Sequence, residues 1–325
     1  MKYLILLFLF FPFFAGAVTE SSLGASISSD IKPEYPRPDQ EVTVTLNSYQ
    51  LNLDQAQITW FFNTEKRGSG LGLKTFTVLT GPLGTPAVIR AVINVGGQTA
   101  EKLINLRPAT VDLLWEAHTY TPPGYLGKAL PSPESLVTIW ADPQLPIANG
   151  GLRAASGLTF KWYRNGNLLS QSSGAGKDSL QTRLGNTFDR NQISVLVSAN
   201  DGTVAVGELD FRVVSPRIVF YPVRDEGSVD YTRAVGSIIT LTGLEPRLAA
   251  EPYYIANPLE EGTRVNFNWQ VDNKPAGNGN IIRFNNTGAE ELAVNLEVNN
   301  PESIFQKAVK SIKVILAPSH DIFPF

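Results

Sequence analysis

A short pattern recurs three times along the chain: an aromatic or β-branched residue, a polar residue, then tryptophan. The copies are Ile58-Thr59-Trp60, Phe160-Lys161-Trp162 and Phe267-Asn268-Trp269, with the tryptophans 102 and 107 residues apart. Each lies in a run where apolar and polar residues alternate, the period of a strand with one buried face. One strand-borne tryptophan every hundred residues or so is the signature of tandem β-sandwich domains, because a sandwich of that size closes its core around one large ring. The expected architecture is therefore all-β, with Trp60, Trp162 and Trp269 as core residues.

Strand and turn signals divide the chain around these anchors. The first unit spans 22–107, with strands at Glu41–Leu46, Gln57–Phe62, Lys74–Leu79, Ala87–Ile93 and Thr99–Leu106; Gly96-Gly97 is a hairpin turn and Arg107-Pro108 the exit. The second spans 109–214, with strands at Val111–Trp115, Leu136–Trp140, Leu158–Tyr163, Gln192–Ser198 and Val204–Val214, and hairpin turns at Asn165-Gly166 and Asp201-Gly202. The third spans 215–316, with strands at Arg217–Tyr221, Ser237–Thr242, Arg264–Val271, Glu291–Val298 and Ala308–Leu316. A typical sandwich of this kind has about seven strands, so the missing ones are expected at sheet edges. No long helical period occurs. Short linkers predict a stiff rod.

The N-terminus reads as a targeting segment. Met1-Lys2 is followed by an apolar run over Tyr3–Phe14 and by Ala15-Gly16-Ala17, the order of a secretory signal peptide over 1–17. The run is too short for a membrane span, which needs about 20 apolar residues, and no later stretch offers one. Residues 317–325 form a short tail. The expected location is exported: extracellular, at the cell surface, or periplasmic in a double-membrane organism. The chain has no cysteine, which removes disulfides, thiol catalysis and thiolate metal sites, so each domain must rest on its core. With 27 Lys and Arg against 30 Asp and Glu, no basic footprint for nucleic acid exists.

Units two and three are closer to each other than to unit one. Arg217–Tyr221 matches Val111–Trp115, and Ser237–Thr242 matches Leu136–Trp140. Both units carry a long connection before the tryptophan strand, at 141–157 and 243–262, each containing Ile-Ala-Asn, at Ile147–Asn149 and Ile255–Asn257. Function is expected in these long connections, since loops at sandwich ends carry binding while strands hold the scaffold.

The segments Thr59-Trp60-Phe61, Lys161-Trp162-Tyr163-Arg164-Asn165-Gly166 and Asn268-Trp269-Gln270-Val271-Asp272 resemble the third strand and turn of Ig-like and PKD-like repeats of bacterial surface proteins. Asp112–Ala117 with Pro131–Ser135 is similar to exported repeat proteins of small-genome bacterial lineages. Asn165-Gly166 keeps the turn of the pattern, whereas Asn63-Thr64 and Asp272-Asn273 depart from it. The resemblance implies an indole buried between two sheets, an extracellular or surface location, and an interaction role with no active-site residues to carry over.

Chemistry-bearing motifs are sparse. His118 and His320 fall in different units without carboxylates at ligand spacing. Gly68–Gly72 and Gly174–Lys177 lack the Gly-Lys-Ser/Thr ending and following helix of a phosphate loop and read as inter-strand loops. Glu260-Glu261 and Glu290-Glu291 are adjacent pairs whose side chains diverge in extended chain, unlike a glycosidase pair. Asp201 and Asp272 supply too few oxygens for calcium. No catalytic, metal or cofactor-binding residue is assigned. The candidate contact residues are Tyr253 and Tyr254, in Ala250–Pro258, and Tyr120 and Tyr125, in Tyr120–Tyr125, with either a protein or a glycan at a cell surface as partner. The competing structural role is packing at a junction between units. The function expected is a non-enzymatic spacer, adhesin or surface-assembly component, with a carbohydrate-binding array using the loop tyrosines as the alternative.

Overall fold

The computed structural model describes residues 26–147, 150–256 and 265–318. The signal segment, His320, Glu260-Glu261 and most of the tail lie outside the described residues, as do Ala148, Asn149 and Asn257. The chain divides into two compact units, one of residues up to 109 with 146–150, the other of 110–145 and 151 onward.

The first unit contains β1 (Ile27–Lys32), β2 (Glu41–Ser48), β3 (Gln57–Phe62), β4 (Glu65–Leu71), β5 (Thr75–Leu79), β6 (Ala87–Val95) and β7 (Gln98–Leu106). They form a three-stranded sheet, β1-β2-β5, and a four-stranded sheet, β4-β3-β6-β7. Alternation places Val42, Val44 and Leu46 of one sheet and Ile58, Trp60, Ile89 and Ile93 of the other in a single core. Trp60 is fully buried and stacks on Phe76 with ring centres 5.2 Å apart.

The second unit holds two sandwiches. The first contains β8 (Thr110–Ala117), β9 (Leu136–Gln144), β10 (Thr159–Arg164), β11 (Asn167–Leu168), β12 (Gly174–Ala175), β13 (Ser179–Arg183), β14 (Gln192–Ser198) and β15 (Val204–Asp210). Its sheets are β13-β9-β8 and β11-β10-β14-β15, with β12 also on β10. Val137, Ile139 and Leu180 of the smaller sheet and Phe160, Trp162, Val195 and Val197 of the larger are buried. Gly207 lets β15 pass close to β8: a Cβ there would sit 3.0 Å from the Val111 carbonyl oxygen.

The last sandwich contains β16 (Arg217–Val223), β17 (Ile238–Leu241), β18 (Arg247–Tyr253), β19 (Asn266–Val271), β20 (Lys274–Gly277), β21 (Ile281–Arg283), β22 (Glu290–Asn300) and β23 (Ser303–Leu316). Its sheets are β16-β18-β21 and β17-β23-β22-β19-β20. Its core joins Ile218, Phe220, Leu248 and Ala250 to Trp269, Val294, Leu296 and Val314.

The three tryptophan strands are built alike down to single hydrogen bonds. Each indole N–H donates to a backbone carbonyl of the following connection: Trp60 to Leu73 at 2.8 Å, Trp162 to Lys177 at 2.9 Å and Trp269 to Gly279 at 2.7 Å. A core tryptophan needs such an acceptor, since an unpaired buried N–H is costly. The first residue of the turn after each strand is equivalent too. Asn63, Asn165 and Asp272 have φ of 54°, 50° and 50°, a region where short polar side chains are favoured. Their Oδ1 atoms accept from the backbone N–H groups of Val88, Gln192 and Ala293 at 3.0, 3.0 and 2.9 Å. Asp272-Asn273 thus keeps the backbone of Asn165-Gly166, with both residues left-handed, whereas Asn63-Thr64 keeps only the first.

Several strand assignments are corrected. The connection 243–262 is not all loop, because Arg247–Tyr253 is the central strand of its sheet. Ser237–Thr242 is not the counterpart of Leu136–Trp140: β17 pairs in parallel with β23, and β18 holds the place that β9 holds. The other long connection starts four residues later than expected, since β9 continues to Gln144. Gly68–Leu71 lies in edge strand β4, and Gly174-Ala175 pairs with β10.

Candidate functional site

The candidate tyrosines come together at the seam between the two sandwiches of the second unit. The connection after β8 carries Tyr120 and Tyr125 onto the outer face of β16-β18-β21. Two backbone bonds fasten it: Tyr120 N–H donates to the Ile255 carbonyl, and Tyr254 N–H to the Tyr120 carbonyl, each at 2.8 Å. Thr119 and Ala256 pair as an isolated antiparallel bridge. Tyr254 has φ of 62°, strained for a bulky residue, and this kink turns the chain out of β18.

Strand parity explains which side chains meet there. On β18, Leu248, Ala250 and Pro252 face the core of their own sandwich, so Ala249, Glu251 and Tyr253 face outward. Register places Glu251 beside Val219 and Tyr221 beside Ala249. Pro252 is tolerated because Ala250 N–H points away from β16, to the Asn280 carbonyl. Pro252, two residues on, points the same way, beyond the stretch that β21 covers.

Glu251 is the polar centre, 4% exposed. Tyr120 donates its hydroxyl to Oε2 at 2.5 Å, and Tyr231 donates to Oε1 at 2.9 Å. A buried carboxylate needs donors of this kind. Around it, the hydroxyls of Tyr221 and Tyr253 lie 2.7 Å apart, and those of Tyr125 and Tyr254 2.9 Å apart. Tyr253 packs edge-to-face on both Tyr125 and Tyr254, and Arg217 lies over the same two rings, 5.3 Å from Tyr253 and 5.5 Å from Tyr254. Leu130, Val219 and Val229 fill the margin.

Burial raises the pKa of these phenols. Burial first, then the bond to Glu251, pushes Tyr231 up to about 12; the same causes raise Tyr120 further. Burial and the bond to Tyr221 raise Tyr253, and burial and the bond to Tyr125 raise Tyr254. The hydroxyls are held neutral, as fixed donors.

A second polar contact lies beside the rings. Gln306 of β23 is 1% exposed. Its Nε2 donates to Ser132 Oγ at 2.9 Å and to the Pro133 carbonyl, while its Oε1 accepts from Ala256 N–H at 2.8 Å. Ser303 donates its hydroxyl to Glu134 nearby. The seam is thus an aromatic and hydrogen-bonded joint with every central polar group partnered.

Of the residues singled out in sequence, Tyr120, Tyr125, Tyr253 and Tyr254 converge in this seam, with Tyr253 and Tyr254 only 6% and 4% exposed. Trp60, Trp162 and Trp269 lie apart from it in the three cores. His118 places its Nε2 2.7 Å from Thr138 Oγ1. Sequence inspection missed Glu251, Tyr231, Tyr221 and Gln306. Gln306 left a signal: it shares strand parity with the inward-facing Ala308, Ile312 and Val314, so a polar side chain was headed for the interior. Among the described residues no three or more His, Asp or Glu side chains converge as a metal site, and no helix is long and apolar enough to cross a membrane.

No protein-family model matches the chain, and no curated protein matches its sequence. Among solved structures it overlaps Sidekick-1 immunoglobulin domains 1–5 at 13% identity and a TM-score of 0.33, over 87% of this chain and 56% of that one. It overlaps the three N-terminal domains of the outer capsid protein Hoc of bacteriophage RB49 at 10% identity and a TM-score of 0.26, over 90% and 98%. The central fibronectin-III array of RIM-binding protein follows at 12% identity and a TM-score of 0.28, over 86% and 93%. Overlaps this slight say nothing about what the chain binds. The sheets themselves define an all-β chain of tandem Ig-like sandwiches.

Proposed function

We propose that this is an exported, non-enzymatic array of Ig-like domains that works at a cell surface or outside the cell, as a spacer or adhesion component. The observation that carries this is the seam. The most elaborate constellation of the described residues, Glu251 with its tyrosines and Gln306 with its three bonds, joins one sandwich to the next. A joint of this kind fixes the orientation of two domains, which a spacer or display scaffold needs, whereas flexibly linked domains move by default. The apolar segment over Tyr3–Phe14 followed by Ala15-Gly16-Ala17 supports export. A glycan site on Tyr120, Tyr125, Tyr253 and Tyr254 is not favoured, because these rings pack on one another and Tyr253 and Tyr254 are buried. Expression of a tagged chain in its native cell, with fractionation and surface labelling, tests the proposal. The tag is expected in the surface or extracellular fraction, and retention in the cytosol would sink the idea.

A further inference from the structure

Three sheets in this chain share one construction: β1-β2-β5, β8-β9-β13 and β16-β18-β21. Each turns one face to its own core, so the three outer faces can be compared. That of β1-β2-β5 is ordinary: Ser28, Asp30, Thr43, Thr45, Thr75 and Thr77, with Leu79 at its end as the large apolar residue. That of β16-β18-β21 carries Tyr221, Glu251 and Tyr253, buried beneath the Tyr120–Leu130 connection and Tyr231.

The outer face of β8-β9-β13 belongs to neither type. Leu114, 61% exposed, stands directly across from Trp140, 39% exposed, and Ser179 flanks Trp140 on its other side. Trp140 is the one tryptophan of five more than a third exposed. Asp112 and Asp142 form the next rung on one side, and Glu116, Thr138 and Gln181 the rung on the other. Neighbouring side chains on such a face lie about 5 Å apart across strands and about 7 Å apart along one. A ring laid on Trp140 and Leu114 therefore has Asp112 and Asp142 within reach of a hydroxyl.

This face shares one feature with the sealed one, a carboxylate on the central strand two residues along from the apolar rung. There, Glu251 stands two residues along the central strand from Ala249, the rung partner of Tyr221. Here, Asp142 stands two residues along the central strand from Trp140. The sealed face also shows what such a surface takes: a segment, Tyr120-Thr-Pro-Pro-Gly-Tyr125, that turns at Pro123-Gly124, with Tyr125 N–H donating to the Pro122 carbonyl, and whose Tyr120 hydroxyl is donated to the carboxylate. Proline followed by a left-handed glycine pre-sets such a turn before the segment binds, which lowers the ordering cost.

We propose that the outer face of β8-β9-β13 is a docking surface for a turn-forming, tyrosine- and proline-bearing segment of a partner protein. The ring packs on Trp140 and Leu114, and its hydroxyl donates to Asp142 or Asp112. Asp112, Asp142 and Glu116 on the two flanking rungs select a donor-bearing occupant over an acidic one.

The test is calorimetric titration of the full-length chain with a peptide of residues 119–130, the segment that seals the sister face. Saturable binding is expected. Trp140→Ala should weaken it at least about tenfold, a loss of about 1.4 kcal/mol. Asp142→Asn should weaken it as well, and so should replacing both peptide tyrosines with phenylalanine. Because Trp140 faces away from the core, Trp140→Ala should leave the melting profile unchanged, which separates lost contact from lost fold. No saturable binding up to about 1 mM, or equal binding by Trp140→Ala, overturns the proposal. So does binding of soluble oligosaccharides, in place of the peptide, that Trp140→Ala abolishes.

Discussion

Replacing Gln306 with alanine strikes the seam at its most buried polar point. The variant removes both ends of an amide that holds Ser132, Pro133 and Ala256. Ser132 and Ala256 are 0% and 2% exposed, so the Ala256 N–H and the Ser132 hydroxyl lose a partner with little water at hand. Each stranded buried group costs about 1–3 kcal/mol. A cleft of about 300 Å³, lined by Glu134, Arg183, Ser303 and Gln306 among others, lets water restore part of this. The net loss expected is about 2–4 kcal/mol. For a unit of this size that lowers the melting temperature by about 5–10 °C. Differential scanning calorimetry of the full-length chain is the assay. The transition of the two-sandwich unit should fall by that amount and broaden or split as its halves uncouple, while the transition of the first unit stays put. A fall below about 1 °C, or wild-type sandwiches that already melt separately, would refute the idea that Gln306 joins them.

Trp269→Ala removes a fully packed indole and its bond to the Gly279 carbonyl, and should cost about 3–5 kcal/mol by chemical denaturation; a loss under about 1 kcal/mol would place the ring outside the core. High pH should weaken the seam. An unfolded tyrosine ionises near pH 10, whereas Tyr231 is held up to about 12 and Tyr120 and Tyr253 are raised in the same direction. Below pH 10 the phenols are neutral in both states, so their contribution is fully present. Above it the unfolded chain sheds protons that the folded chain retains, and stability falls as pH climbs toward 12. Melting temperature followed from pH 8 to 12 should drop more steeply for the wild type than for a variant with Tyr120, Tyr231 and Tyr253 all changed to phenylalanine. Parallel curves would show that these hydroxyls are not held in the fold.

The fold was legible where burial is one-sided. β2, β3, β6 and β14 alternate cleanly because one face meets the core and the other meets water, and the tryptophan period shows through them. β18 was hidden because both its faces are covered. Leu248, Ala250 and Pro252 meet the core, while Ala249, Glu251 and Tyr253 meet the seam, so no alternation survives. Its composition, rich in Ala with Glu and Pro, is also depleted in strands. β17 misled for the opposite reason: Ile238-Ile-Thr-Leu241 has strong strand composition yet lies at a sheet edge beside β23. The seam tyrosines were visible as a cluster of rings, but their packing was not. That depends on Glu251 and Gln306, single polar residues that each take a partner more than 100 positions away in sequence, Tyr120 for one and Ser132 for the other.

The central claim is that the last two sandwiches form one rigid block. The absence of cysteine makes site-specific labelling clean. Spin labels on cysteines placed at Gln181 and Lys274, exposed positions in the two sandwiches, report their separation by double electron–electron resonance. One narrow distance distribution is predicted, broadening when Gln306→Ala and Glu251→Leu are introduced together. A broad or multimodal distribution in the wild type would contradict the claim.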